Sequence, residues 1–105
     1  MFEDGLKKAK AENKPLMIHF TADWCTWCKK LEAEAFKNQD IISLSKSFVP
    51  VKVDCDKEGE IAKKFQIRGL PTILFTSPDG NLIHQVIGYR ATDVFLSEMK
   101  TALSK

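Results

Sequence analysis

Cys25 and Cys28 stand two residues apart in the stretch FTADWCTWCKK, Phe20 to Lys30, and each is preceded by a tryptophan. Three chemistries use such a pair: metal ligation, reversible disulfide exchange, and the permanent stapling of a small domain. A structural zinc site wants four ligands, and no second Cys-x-x-Cys or paired histidine follows; a zinc module would have to recruit Cys55 and His19. Stapled domains normally show a larger, even cysteine count, whereas this chain has three. Exchange is the favoured reading, and its chemistry depends on placement. The near-continuous apolar run Leu16 to Thr21 reads as a strand covered on both faces, and a helix follows it. Cys25 then falls just past the carboxyl end of a central strand, with Cys28 one helical turn further on. Unpaired N–H groups and the positive end of the helix dipole stabilise a thiolate there, drawing its pKa below the ~8.5 of free cysteine. Cys25 is the expected nucleophile. Side chains at i and i+3 face the same way, about 5 to 6 Å apart at Cβ, so Cys28 can close and reopen a disulfide with it.

The elements that must hold this pair alternate between helical and strand periods. Phe2, Leu6 and Ala9 share a helical face, in a helix ending near Asn13 because Pro15 disfavours helix before it. Leu31, Ala35 and Phe36 continue the cysteine helix to about Lys37, and Asp40 is placed to cap a short helix turning Ile41, Leu44 and Phe48 inward. Strands are expected over Phe48 to Asp54 and Thr72 to Thr76, with a helix over Glu58 to Phe65 between them. The turn Ser77 to Gly80 returns Asn81 to Ile87 as a hairpin partner, and Thr92 or Asp93 opens a last helix with Phe95, Leu96, Met99 and Leu103 as its stripe. A long helical crossover between strands implies a parallel, right-handed βαβ unit, and the tight turn implies an antiparallel hairpin beside it. The class is α/β, a mixed sheet with helices on both faces.

At 105 residues the chain is one domain, 1–105, and its 16 basic and 14 acidic residues are scattered, leaving a net charge of +2 with no basic stripe for nucleic acid. No stretch is long and apolar enough for membrane insertion, and Met1 to Ala11 lacks the apolar segment of a signal peptide. Met1 either begins a cytosolic protein or stands where a leader or membrane segment preceded it.

A strand, then WCxxCK, and later GLPT at Gly69 to Thr72 resembles the thioredoxin family. The longer ADWCTWCK with GLPTILF and DG resembles the C-terminal periplasmic domain of the reductant carrier DsbD and related exported thioredoxin-like proteins, over nearly all of Leu16 to Leu103. The resemblance implies a thioredoxin-like fold, here with four core strands rather than five because Phe2 to Asn13 reads as the first helix. It implies a thiol–disulfide oxidoreductase that needs no cofactor and exchanges with disulfide-bearing protein substrates and an upstream thiol donor. It leans toward a reductant, exported to the periplasm as part of a longer precursor, with the cytoplasm as the alternative; a monomer is expected. A cis Leu70–Pro71 bond beside the cysteines is implied, with the Leu70 backbone pairing to the incoming chain.

The family commonly buries an acidic residue six positions before the first cysteine, where this chain has His19. Two readings stand there: a neutral imidazole that accepts the Cys28 proton, or a core histidine bonded to a backbone carbonyl. Trp24 and Trp27 are read as aromatic contacts for partner chains, Trp27 because a position between the cysteines is hard to bury. Cys55 reads as an inert, buried small hydrophobe, His84 as solvent-facing, and Arg68 and Tyr89 carry no assigned chemistry. A redox-silent binding domain on the same scaffold is the remaining alternative.

Overall fold

Leu16 to Thr21 is apolar throughout because it is covered from both sides. In the computed structural model, which describes Met1–Lys105, this strand (β1, Leu16–Thr21) is buried at all six positions. Its neighbours are β2 (Val49–Asp54), β3 (Thr72–Thr76) and β4 (Leu82–Ile87), in the order β2-β1-β3-β4. β1 runs parallel to β2 and antiparallel to β3, and β3 pairs antiparallel with β4. The expected four-stranded mixed sheet is therefore present.

Alternation along β1 sends Leu16, Ile18 and Phe20 to one face and Met17 and His19 to the other. On the first face lie α1 (Phe2–Glu12) and α4 (Gly59–Lys64), closing over Phe2, Ala9, Val49, Val51, Val53 and Leu74. Gly5 brings α1 close to the sheet, since a Cβ there would collide with the Val51 side chain. On the second face α2 (Thr26–Glu34), α3 (Gln39–Ser45) and α5 (Thr92–Leu103) bury Leu31, Ile41, Phe75, Phe95 and Met99. β2 alternates buried and exposed, and as an edge strand it carries Pro50 and Lys52 outward, residues that discourage further strand pairing.

Three local expectations are corrected. The cysteine helix tightens into a 3-10 turn over Ala35–Lys37 after α2 ends at Glu34. The cap of α3 is Asn38 rather than Asp40: the Asn38 Oδ1 accepts from the N–H groups of Asp40 (2.9 Å) and Ile41 (3.2 Å). Either residue type can cap, and the one lying outside the first turn does so. Asn38→Ala is expected to lower stability by about 1 kcal/mol, read as a urea midpoint shift with unchanged slope. Finally, His84 is not solvent-facing. Its ring lies 5.9 Å from Phe75, between Glu98 of α5 at 3.5 Å and Lys105 at 3.0 Å, because α5 reaches across β4.

Candidate active site

The chain leaves β1 through Ala22 and Asp23 and re-enters helix at Thr26, which makes Cys25 the N-cap of α2. Its Sγ accepts the Cys28 backbone N–H at 3.2 Å. The same N–H would serve a Cys25 thiolate, so the local fold that starts the helix also supports the charged sulfur. Cys25 and Cys28 form a closed disulfide with Cα atoms 5.3 Å apart. Both cysteines are buried, and not equally: Cys25 keeps 5% exposure, and Cys28, one turn deeper, has 0%.

Around the pair, Ala22 and Leu70 pack against the cysteines. The Leu70–Pro71 bond is cis, as the resemblance implies, and the Pro71 carbonyl accepts the Gly88 N–H at 2.8 Å, tying the Pro71 loop to the β4–α5 connection. Trp24 and Trp27 are 69% and 55% exposed, an unusual state for residues this large. Each is nevertheless held. The Trp24 Nε1 donates to the Asp56 carboxylate at 3.0 Å, and the Trp27 ring lies 5.4 Å from that of Tyr89.

His19 sits on β1 opposite Lys52 of β2 and Ile73 of β3, buried to 5% exposure. Its imidazole packs edge-on against Phe36 at 5.1 Å and makes no hydrogen bond to a carbonyl; Nε2 is buried without a partner. Nδ1 lies 3.8 Å from Glu32, which also pairs with Lys52 at 3.0 Å. At the β2 edge a cavity of about 310 Å³ opens here between β1, β2 and α3, lined by His19, Glu32 and Lys52 among largely apolar residues. Burial pushes the His19 pKa down to about 4; Glu32 pulls it up and Lys52 pulls it down, and both effects are smaller than the burial. The imidazole is neutral at physiological pH.

Cys55 follows β2 on the opposite face, packed against the α1 and α4 side, with its N–H bonded to the Thr21 carbonyl at 2.8 Å. It is partly buried rather than buried as expected; that burial first, then Asp54 and Asp56, raise its thiol pKa. His19 and Cys55 thus lie on different faces of the sheet, and the zinc set Cys25, Cys28, Cys55 and His19 is not assembled. Sequence reasoning missed Glu32, Lys52, Glu34 and Tyr89. Glu32 lies four residues after Cys28, on the same helix side, and Lys52 is the register partner of His19, so both were within reach of pattern and strand pairing.

A cysteine pair at the junction of a central strand and a helix N-terminus, with Leu70 of the cis Leu70–Pro71 bond packed against it, is a site of thioredoxin fold suited to thiol–disulfide exchange. The chain belongs to the thioredoxin-like family: the family model described as a thioredoxin-like domain matches residues 2–103. Among curated proteins it is similar to the thiol:disulfide interchange protein DsbD of Vibrio cholerae, 31% identical over 92% of this chain. The DsbD of Ralstonia nicotianae is 27% identical over 96% of it. The chain spans 17% of the length of each of these relatives. Among solved structures, a thioredoxin from Thermus thermophilus superposes with a TM-score of 0.87 at 22% identity, covering 97% of this chain and 83% of that one, which is a likeness of fold.

Proposed function

We propose that residues 1–105 act as one thioredoxin-like domain that reduces disulfides in protein partners, with Cys25 as nucleophile and Cys28 as resolving thiol. The Cys25 thiolate attacks a partner disulfide, one partner sulfur leaves as thiolate, and a mixed disulfide forms. Cys28 loses its proton and attacks the Cys25 sulfur, releasing the second partner thiolate and leaving the Cys25–Cys28 disulfide. Two electrons pass to the partner, and an upstream thiol donor restores the pair. The observation that carries this reading is the closed pair at the start of α2, whose first cysteine keeps a small exposure that the second lacks.

Leu70, packed on the cysteines, and Pro71 form the edge along which the partner chain lies, with Trp24 and Trp27 flanking it. His19 is the base for Cys28. It is buried, neutral and unpartnered at Nε2, and through Nδ1 it faces Glu32, which is carried on the same helix as Cys28. The likeness to DsbD favours a reductant working in the periplasm as a domain of a longer exported protein. The test is the reduction potential of the Cys25–Cys28 couple, equilibrated against glutathione and dithiothreitol. A reductant is expected below about −200 mV; a value near the about −120 mV of a strong oxidant overturns the direction.

A further inference from the structure

An aromatic side chain beside a reactive pair helps a partner bind only if it is already held in place, because ordering a free side chain on contact costs affinity. Trp27 is held. Its indole lies 5.4 Å from the Tyr89 ring at an interplanar angle of 45°, and the Lys30 ammonium stands 5.1 Å from the centroid of each ring, a cation shared by both. The Tyr89 hydroxyl donates to the Glu34 carboxylate, one turn further along α2, and the ring packs on the core beneath α2, α3 and α5. Tyr89 itself is anchored through the backbone. Gly88, at φ 89°, donates to the Pro71 carbonyl, and Arg90 Nη1 donates to the Tyr89 carbonyl at 2.9 Å. Two adjacent residues of the β4–α5 connection, Gly88 and Tyr89, therefore join the loop that carries Pro71 to the helix that carries the cysteines.

We propose that Tyr89 is a positioning residue that fixes Trp27 beside the cysteine pair, making with Lys30 a preformed platform that selects disulfides carried on polypeptide over small-molecule disulfides. A disulfide in a protein brings flanking backbone and side chains that can cover the exposed indole, and tryptophan held in a defined orientation is the residue type that concentrates binding energy. A small aliphatic disulfide presents its sulfurs and nothing that reaches the platform. This role rests on the thiol–disulfide exchange reading above.

The test compares insulin with 2-hydroxyethyl disulfide as oxidant, using the full chain regenerated by dithiothreitol. Tyr89→Ala is expected to raise KM for insulin about fivefold to tenfold, the size of one lost aromatic contact, with kcat held within about twofold. Its rate with 2-hydroxyethyl disulfide is expected to stay within about twofold. Tyr89→Leu, which keeps an apolar anchor on the core, should show the same KM rise, so that a loss of fold in the alanine variant does not decide the matter. Tyr89→Phe, which keeps the stack, should restore most of it. In a Trp24→Phe background, where Trp27 is the sole tryptophan, emission should shift to the red and anisotropy fall on Tyr89→Leu and not on Tyr89→Phe. An unchanged insulin KM in the leucine variant, or an equal loss with both disulfides, overturns the role. Turnover of the unsubstituted chain no faster than its Cys25→Ser variant overturns the exchange reading itself, and this role with it.

Discussion

Cys25→Ser is expected to bring disulfide reduction down to the uncatalysed rate, while Cys28→Ser keeps the first half of the reaction and stalls with the partner attached. The asymmetry follows from position. Cys25 caps α2 and receives the Cys28 N–H, so its thiolate is the one the fold supports, and it keeps the small opening that Cys28 lacks. A chain with Cys25 alone can attack but has no internal thiol to expel the partner. Non-reducing electrophoresis with a protein disulfide should show the mixed adduct accumulating for Cys28→Ser and none for Cys25→Ser. In the reduced unsubstituted chain, iodoacetamide near neutral pH should label Cys25 first. Cys55 should lag, because its burial and the nearby Asp54 and Asp56 hold its thiol protonated. Adduct formation by Cys25→Ser, or labelling of Cys55 ahead of Cys25, would reverse the assignment.

The parts of this site that were legible in the sequence are those written in local pattern. A run buried on both faces must be apolar from Leu16 to Thr21, a residue just beyond it must lie at the sheet's edge of carboxyl ends, and a pair at i and i+3 must share a helix face. Those three facts place Cys25 and Cys28 without any tertiary information. The features that were not legible arise from contacts between distant segments. Nothing near Tyr89 in sequence indicates that it meets Trp27 and Glu34, since that contact depends on how the β4–α5 connection turns over α2. His84 was misplaced for a related reason: its strand reads as an exposed edge, and only the path of α5 covers it. Asn38 and Asp40 show the limit of local signals, because both are good caps and the helix start alone selects between them.

His19 is the buried group proposed as the base for Cys28, and His19→Gln is expected to change both acid stability and catalysis. Unfolded, the imidazole takes up a proton near its ordinary 6.5; folded, burial holds that event to about 4. Between these values the unfolded chain binds more protons than the folded one, so stability falls as pH drops through the window and the loss is complete below the folded value. Above pH 6.5 the group makes no contribution of this kind. From pH 7 to pH 4.5 the loss from His19 alone should be about 2.5 kcal/mol. The carboxylates titrate in both proteins, so the difference in slope between the unsubstituted chain and His19→Gln isolates the imidazole. Urea unfolding at the two pH values reads it directly, and equal slopes would mean that the ring is not shielded in solution. The catalytic consequence appears at the other end of the range. At pH 7 the ring is neutral and its Nε2 is without a partner, so it can take the Cys28 proton only in passing, against the burial that holds its pKa at about 4; glutamine fills similar space but cannot take it at all. Single-turnover release of the mixed disulfide should therefore slow on the order of a hundredfold in His19→Gln, with Cys25 alkylation unchanged. A release rate equal to that of the unsubstituted chain, in a variant folded at pH 7, would leave His19 as a packing residue and require another base for Cys28, for which Glu32, 3.8 Å from the imidazole, is the next group in line.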